Sequence, residues 1–273
     1  MTGQIAVVVG AEFLVGNGIE RINVLGVGVS AINPEIAVST IDHWIRERSR
    51  QYVCVADVHS VMECQRDEEA CRICNAAGLV TPDGMPLAWL LKLAGYRYAE
   101  RVCGSDLMLA VFEHGEKRGY RHFLYGSSEQ TLQRLRMALE RSFPGATIVG
   151  SISPPFRPLS KAEDLSIIAA INGSDADIVW VGLGAPKQER WMADHRSALS
   201  APILIGVGAA FHFHAGVIRR APQFLQRSGL EWLFRLCMEP RRLWRRYLTN
   251  NPQFLVGVIA QGVGLRRYPD PTN

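Results

Sequence analysis

The chain alternates short, unbroken apolar runs with longer segments whose apolar residues recur at helical spacing, and few folds accommodate that order. The runs Ile22–Val29, Tyr52–Ala56, His122–Tyr125, Ala146–Val149, Ile178–Val181 and Ile203–Val207 are β-rich. Between them the spacing predicts helices over about 34–49, 58–76, 85–95, 105–118, 128–142, 160–172 and 187–199. In the first, Ala37, Ile41, Trp44 and Ile45 repeat behind Asn33-Pro34, a capping residue followed by proline at the first helical position. Strands that are apolar at every position are buried on both faces. This predicts an α/β fold, a mostly parallel sheet between helices, with ligands beyond the carboxyl ends of the strands. From Ala221 onward the pattern turns helical and arginine-rich, punctuated by Pro222, Pro240 and Pro252. A boundary near Gly216 to Arg220 divides an α/β core, residues 1–218, from a helical appendage, residues 219–273.

Composition narrows the class. With 48% hydrophobic and 21% charged residues in 273, disorder, a collagen-like chain and a coiled coil are excluded. A net charge of +4 does not call for nucleic acid. The positive charge is nonetheless uneven: lysine occurs only at positions 92, 117, 161 and 187, and arginines crowd the last fifty-five residues. Six cysteines in a chain of this length do not make a secreted disulfide scaffold. The first eighteen residues lack the basic start of a signal peptide, and no apolar run reaches the roughly 18 residues that span a bilayer. A cytoplasmic protein, soluble or surface-bound, is expected.

Asp83 stands in Thr81-Pro82-Asp83-Gly84, between an apolar run and a helix beginning at Met85. A carboxylate there is either a turn or capping residue or a general base at the strand ends. In Val179–Trp191 a buried strand ends in Gly182 and Gly184, and Pro186 starts a helix whose first turn carries Lys187, Gln188 and Glu189. Free N–H groups at a helix start, with a lysine, favour a phosphate or diphosphate, and Gln188 can both donate and accept for a sugar or base. Gly206 and Gly208 form a similar turn, suited to close ligand approach or to tight packing.

Four other patterns carry less. Gly26-Val27-Gly28, with Asp57 after the next strand, satisfies a relaxed dinucleotide fingerprint, but the following helix starts too late for a pyrophosphate. Asp175-Ala176-Asp177 resembles a metal-binding pair but precedes its strand, which points both acids at the wrong end of the sheet. Cys64, Cys71 and Cys74 lie on one stripe of one expected helix, with His59 nearby, and read as buried thiols rather than zinc ligands. His212 and His214 would share a face of an extended stretch, without a third ligand.

Taken together the motifs resemble the WecG/TagA/CpsF glycosyltransferase family, glycosyltransferase family 26. They are Pro82-Asp83-Gly84, Glu100-Arg101-Val102-Cys103-Gly104-Ser105-Asp106-Leu107, Gly182 to Glu189, Gly206-Val207-Gly208, Ala215-Gly216, Arg220-Ala221-Pro222, Gly229 to Arg235 and Glu239 to Arg245. The resemblance implies a Rossmann-like core that moves a sugar from a UDP-sugar donor to a polyprenyl-diphosphate-linked saccharide acceptor, with inversion and without metal or other cofactor. Such enzymes serve teichoic acid linkage, common antigen, capsule or exopolysaccharide synthesis at the inner face of the cell membrane. By the resemblance Asp83 is the base and Arg101 and Gln188 belong to the donor site, which with the turns above takes in Gly184, Lys187, Glu189 and Gly208. An arginine-rich appendage would dock on an anionic membrane and close over the site, placing Arg219, Arg220, Arg241, Arg242 and Arg245 near the acceptor. The chain departs from the family at Cys54 and Ala56, where a Thr-x-Asn is common, and at His212, where an aspartate is common. All three positions are expected near the donor. A second copy of the chain is a further candidate partner; nucleic acid is not. Two other functions stand beside this one: an NAD(P)-dependent oxidoreductase using Asp57, and a non-catalytic member that binds UDP-sugar and membrane.

Overall fold

The computed structural model describes residues 18–271. Residues 1–17, which include the stretch weighed as a leader, lie outside the described residues. The expected strand at 22–29 is a hairpin: β1 (Arg21–Val24) pairs antiparallel with β2 (Val27–Ser30). Leu25 and Gly26 turn it with φ of 52° and 86°, the two positive angles of the tight turn that matches strand twist. A leucine held in that region costs energy, which its complete burial offsets. The glycines of the dinucleotide-like motif thus sit in a hairpin and open no helix.

The chain continues through α1 (Pro34–Arg46), β3 (Gln51–Ala56), α2 (Val58–Cys64), α3 (Glu68–Asn75), β4 (Leu79–Pro82) and α4 (Met85–Leu93). Next come α5 (Gly104–Glu116), β5 (Arg121–Gly126), α6 (Glu129–Ser142), β6 (Thr147–Ile152), α7 (Lys161–Gly173), β7 (Ile178–Gly182), α8 (Lys187–His195) and β8 (Ile203–Gly206). Asn33 caps α1 by accepting the Ile36 N–H. The helix expected over 58–76 is two helices, because Asp67 caps a new one through the Ala70 N–H.

Strands β3 to β8 form one parallel sheet in the order β4-β3-β8-β7-β5-β6, a Rossmann-like arrangement. Its side chains alternate between two cores. Tyr52, Cys54, Val80, Tyr125, Val181 and Leu204 meet α2, α3 and α8, while Val53, Leu79, Leu124, Trp180 and Ile205 meet α1, α5 and α6. Burial on both faces explains the unbroken apolar runs. The connection leaving β5 runs outward to β6 and the one leaving β7 runs the other way to β8, so a crevice opens beyond their carboxyl ends.

Four short or long helices complete the chain: α9 (Ala210–His214), α10 (Gln223–Arg227), α11 (Glu231–Met238) and α12 (Pro240–Gly262). Pro252 does not end a helix as expected; it lies inside α12, flanked by the buried Tyr247, Asn250 and Phe254. Tertiary packing holds that helix where local propensity would break it. Helix α12 packs along α2 and reaches the hairpin. There Gln261 accepts from the Leu25 N–H (2.9 Å) and donates to the Asn23 carbonyl (2.8 Å). Among the described residues no helix is long and apolar enough to cross a membrane.

Phe254 enters the core shared by α2 and the hairpin. Phe254→Ala is expected to cost on the order of 3 kcal/mol of stability. Urea unfolding followed by tryptophan fluorescence measures it, and an unchanged midpoint would mean that α12 rests on the core without supporting it.

Candidate active site

Strands β3 and β4 run in register, Ala56 beside Pro82, so the next residue of each, Asp57 and Asp83, emerge together at the carboxyl edge. The Asp83 N–H donates to the Ala56 carbonyl (2.9 Å), extending the ladder one step. Asp57 caps α2 through the Ser60 N–H (2.9 Å), and its other oxygen takes Nη2 of Arg246 from α12 (2.7 Å). Arg101 donates to the Asp83 carbonyl oxygen, to Asp83 Oδ1 (3.3 Å) and to Glu231 Oε2 of α11 (2.6 Å). These groups line a cleft of about 1220 Å³.

The two aspartates are driven apart. Burial pushes Asp83 up to about 6, Arg101 pulls it back, and the charges of Asp57 and Glu231 push it further. Burial also pushes Asp57 upward, but Arg246 and the Ser60 hydrogen bonds outweigh it and leave that carboxyl below its ordinary value. One carboxylate stays ionised while its neighbour titrates near neutrality, the division that acid–base chemistry needs. Asp83 remains open to the cleft, its side chain 30% exposed, so it can meet a hydroxyl.

The ends of β7 and β8 form the adjoining wall. Gln188 is buried, its Oε1 accepting the Gly184 N–H (3.1 Å) and its Nε2 donating to Glu189 Oε1 (2.9 Å). It therefore holds the Gly184 turn as well as facing the cleft. A Cβ on Gly206 would lie 2.8 Å from Met192 and 3.0 Å from Gln188, so the glycine there is a packing requirement. Lys187 and Gly208 line the cleft, and His212 meets Ser127 across it (3.4 Å). Burial, with Arg242 nearby, lowers the His212 pKa. Because α9 is helical, His212 and His214 diverge; His214 meets the Ser105 carbonyl instead (3.0 Å). Farther along, Tyr125, Trp191 and His195 stack with centroids 4.2 and 4.5 Å apart, and His195 meets Asp164 (2.8 Å).

The remaining expected residues scatter. Cys54 and Ala56 do not line the main cleft; they and Glu189 surround a small adjoining pocket of about 30 Å³. Arg242 is at the rim, paired with Glu239 (2.8 Å). Arg220 is bound to Asp106 (2.7 Å). Arg219, Arg241 and Arg245 are exposed and do not line the cleft, Arg245 lying over the Trp244 ring. Asp175 and Asp177 lie at the opposite end of the sheet, where Asp177 accepts the Arg121 N–H (3.0 Å). Sequence reasoning missed Glu231, Arg235 and Arg246, which reach the cleft from the C-terminal helices; Asp57, weighed only as a ribose carboxylate in the dinucleotide pattern, caps α2 and holds Arg246. Only the packing of α11 and α12 selects them from among their charged neighbours.

Residues 22–268 match the sequence model of the Glycosyl transferase WecG/TagA/CpsF family. The chain belongs to this family. It is a glycosyltransferase, and the oxidoreductase reading falls with the hairpin position of Gly26 and Gly28. One relative of the transferase, from Bacillus spizizenii, is named N-acetylglucosaminyldiphosphoundecaprenol N-acetyl-beta-D-mannosaminyltransferase. It is 26% identical over 216 residues, 79% of this chain and 81% of the relative. A Bacillus subtilis protein of the same name is 25% identical over 249 residues, 90% of this chain and 85% of its own.

Asp83→Asn is expected to lower the transferase's turnover on the order of 10²–10⁴-fold. A carboxyl whose folded pKa is raised contributes stability that is present below about pH 4 and lost as pH rises through about 6. The variant should therefore melt no lower than wild type at pH 8, and a lower melting temperature would count against the buried charge. With Asp83 as the general base, activity is expected to fall below about pH 6 as its carboxylate takes a proton. Glu231→Gln removes a charge that raises Asp83 and frees Arg101 toward it, so the acid limb of the kcat/KM profile should move to lower pH.

Proposed function

We propose that the protein transfers an N-acetylhexosamine, N-acetylmannosamine by the names of its relatives, from UDP to N-acetylglucosaminyl-diphosphoundecaprenol. The step is inverting and needs no divalent cation. Asp83 carries the reading: a carboxylate poised near neutrality, open to the cleft and backed by Arg101. As the acceptor hydroxyl oxygen attacks the anomeric carbon, Asp83 takes its proton and the bond from that carbon to the UDP oxygen breaks. Direct displacement inverts the anomeric centre. Charge growing on the leaving diphosphate meets Lys187, Arg235, Arg242 and Arg246, all on the cleft wall. The acids that resemble a metal-binding pair stand at the far end of the sheet, which supports the cation-free step.

The appendage supports action at a membrane surface, the cytoplasmic face by the family resemblance. On α12 the buried Leu243, Tyr247, Asn250 and Phe254 face the core, while Trp244, Leu248, Leu255 and Ile259 form an exposed apolar stripe on another side. Arg241, Arg245, Arg266 and Arg267 lie exposed along the same segment. Apolar side chains entering an interface and arginines near anionic headgroups, worth about 1 kcal/mol each, add together.

Purified protein with UDP-N-acetylmannosamine and a short-chain lipid-diphosphate-linked N-acetylglucosamine should release UDP only when the acceptor is present, in excess EDTA as without it. No acceptor-dependent release from any UDP-N-acetylhexosamine would overturn the donor class; loss to EDTA and recovery with Mg²⁺ would overturn the cation-free step. The double variant Leu255→Asp/Ile259→Asp should stop flotation with anionic vesicles and leave UDP binding intact. Flotation equal to wild type would remove the membrane role of α12.

A further inference from the structure

The contact between α2 and α12 contains a polar knot that the chemistry above leaves unused. Asn250 is buried on α12, and both ends of its amide are taken. Its Oδ1 accepts Nη2 of Arg66 (2.7 Å), and its Nδ2 donates to Nδ1 of His59 on α2 (2.9 Å). A guanidinium has no acceptor atom, so turning the amide over would set donor against donor at Arg66. The orientation of Asn250 in turn fixes the state of His59. Nδ1 accepts, so the ring is neutral and carries its proton on Nε2.

A second partner stands ready for a protonated ring. Glu63 Oε1, one helical turn further along α2, is 3.8 Å from His59 Nδ1 and accepts Nη1 of Arg66 (2.9 Å). A proton on Nδ1 would meet the Asn250 NH₂ donor to donor and be drawn to that carboxylate instead. The buried Nδ2 of Asn250 would then lack an acceptor, which costs free energy. The charged groups around the ring are Asp57, Glu63 and Arg66 from the α2 side and Arg246 from α12. Burial and Arg246 hold its proton affinity below the ordinary value, against the pull of Asp57 and Glu63. The side chain is still 21% exposed, so a proton can reach it.

The backbone of α12 is weakest beside this knot. Pro252 lies two residues on and has no N–H for the Leu248 carbonyl. The first half of the helix carries Arg246, bonded to Asp57 (2.7 Å), and Arg242 at the cleft rim. The second half is anchored separately, by Phe254 in the core and Gln261 on the hairpin. Beyond the apolar burial of Leu243 and Tyr247, contacts with the α2 side decide where the first half sits.

We infer that the His59–Asn250 hydrogen bond is a pH-sensitive joint: a neutral His59 seats the first half of α12, and with it Arg246, at the cleft, and a proton on His59 passes the ring to Glu63 and loosens that half. Asn250 is thus a positioning residue that acts through Arg246. While the joint holds, α12 is one rod from rim to hairpin. The closed joint favours the neutral ring, so its contribution is present above the ordinary histidine value of about 6.5 and is lost as pH falls below it. The inference concerns the seat of α12 and goes beyond the transferase reading.

Hydrogen exchange of the full chain, read by mass spectrometry as protection corrected for intrinsic rates, tests the joint at about pH 7.5 and about pH 5.5. In wild type, protection over residues 241–250 should fall on the order of fivefold between the two as one hydrogen bond is lost, while residues 255–262 hold theirs. His59→Gln keeps a neutral acceptor opposite Asn250 and should show no fall. Asn250→Asp sets a carboxylate between His59 and Arg66, which makes the protonated ring the better partner. Its protection at the lower pH should equal or exceed that at the higher. Circular dichroism at both pH values checks that the variants fold; if Asn250→Asp does not, His59→Gln against wild type decides. Equal wild-type protection at both pH values overturns the joint. So does a fall in His59→Gln that matches wild type, or a fall shared equally by residues 255–262. The readout uses neither donor nor acceptor, so the joint and the transferase reading fail separately.

Discussion

Arg101 joins the two halves of the candidate active site. Its guanidinium holds the Asp83 turn by both backbone and side chain, and with Nη2 it reaches Glu231 on α11. Both Arg101 and Glu231 keep only about a sixth of their exposure, at 17% and 16%. Charges that deep are desolvated at a cost that their mutual attraction repays only when the geometry is good, so removing one partner is far worse than never having either. The arrangement therefore fixes where α11 sits. The second tie, Arg246 to Asp57, does the same for α12, 15 residues after Glu231 in the chain. The C-terminal helices are held to the carboxyl edge of the sheet by charges that also set the proton affinities of the two aspartates there.

Those ties divide the work of two neighbouring carboxylates. Asp57 caps a helix and takes a guanidinium, so it stays ionised across the neutral range. Asp83 shares its guanidinium with Glu231 and feels both other acids, so burial prevails and its proton is held near pH 6. A base that titrates there is strong enough to accept a hydroxyl proton in the transition state and still mostly free of protons at pH 7. Neither residue's local sequence shows this division; it arises from Arg101, 18 residues from Asp83, from Glu231, 130 residues beyond Arg101, and from Arg246, 189 residues from Asp57.

This marks the division between what was legible in the sequence and what was not. Strands β3, β5, β7 and β8 were legible because burial on both faces leaves an unbroken apolar run, and β6, at the sheet edge with only Ile148 buried, by its short apolar run at 146–149. Strand β4 was not, since it is four residues long, ends in Pro82 and lies on the sheet edge, where a missing N–H is harmless. The run at 22–29 looked like one strand because the residues turning it, Leu25 and Gly26, are no more polar than their flanks. Asp83, Gln188 and Gly208 were legible from strand-end turns, which place residues in a cleft whatever else the fold does. Glu231, Arg235 and Arg246 were not, because a helix rich in arginine offers many candidates and only docking chooses among them. Cys54 and Ala56 were noted as departures from the family, but the small pocket they border exists only once Glu189 is set against them.

Helix α12 finally relates the surface to the chemistry. At about 1.5 Å per residue its 23 residues extend roughly 35 Å, from the cleft rim at Arg242 and Arg246 to the hairpin at Gln261. Its exposed stripe and its buried stripe are two sides of one rigid rod, so whatever holds the stripe also orients the rim. The proposed lipid-linked acceptor keeps its diphosphate and first sugar near the bilayer surface, so the proposed base has to be brought to that level. On that reading, a helix that lies on the interface by Leu248, Leu255 and Ile259 while placing guanidiniums at the cleft meets that requirement. On the proposed reading, binding to the surface and alignment of the acceptor hydroxyl with Asp83 are then one geometric event, because the same helix sets both.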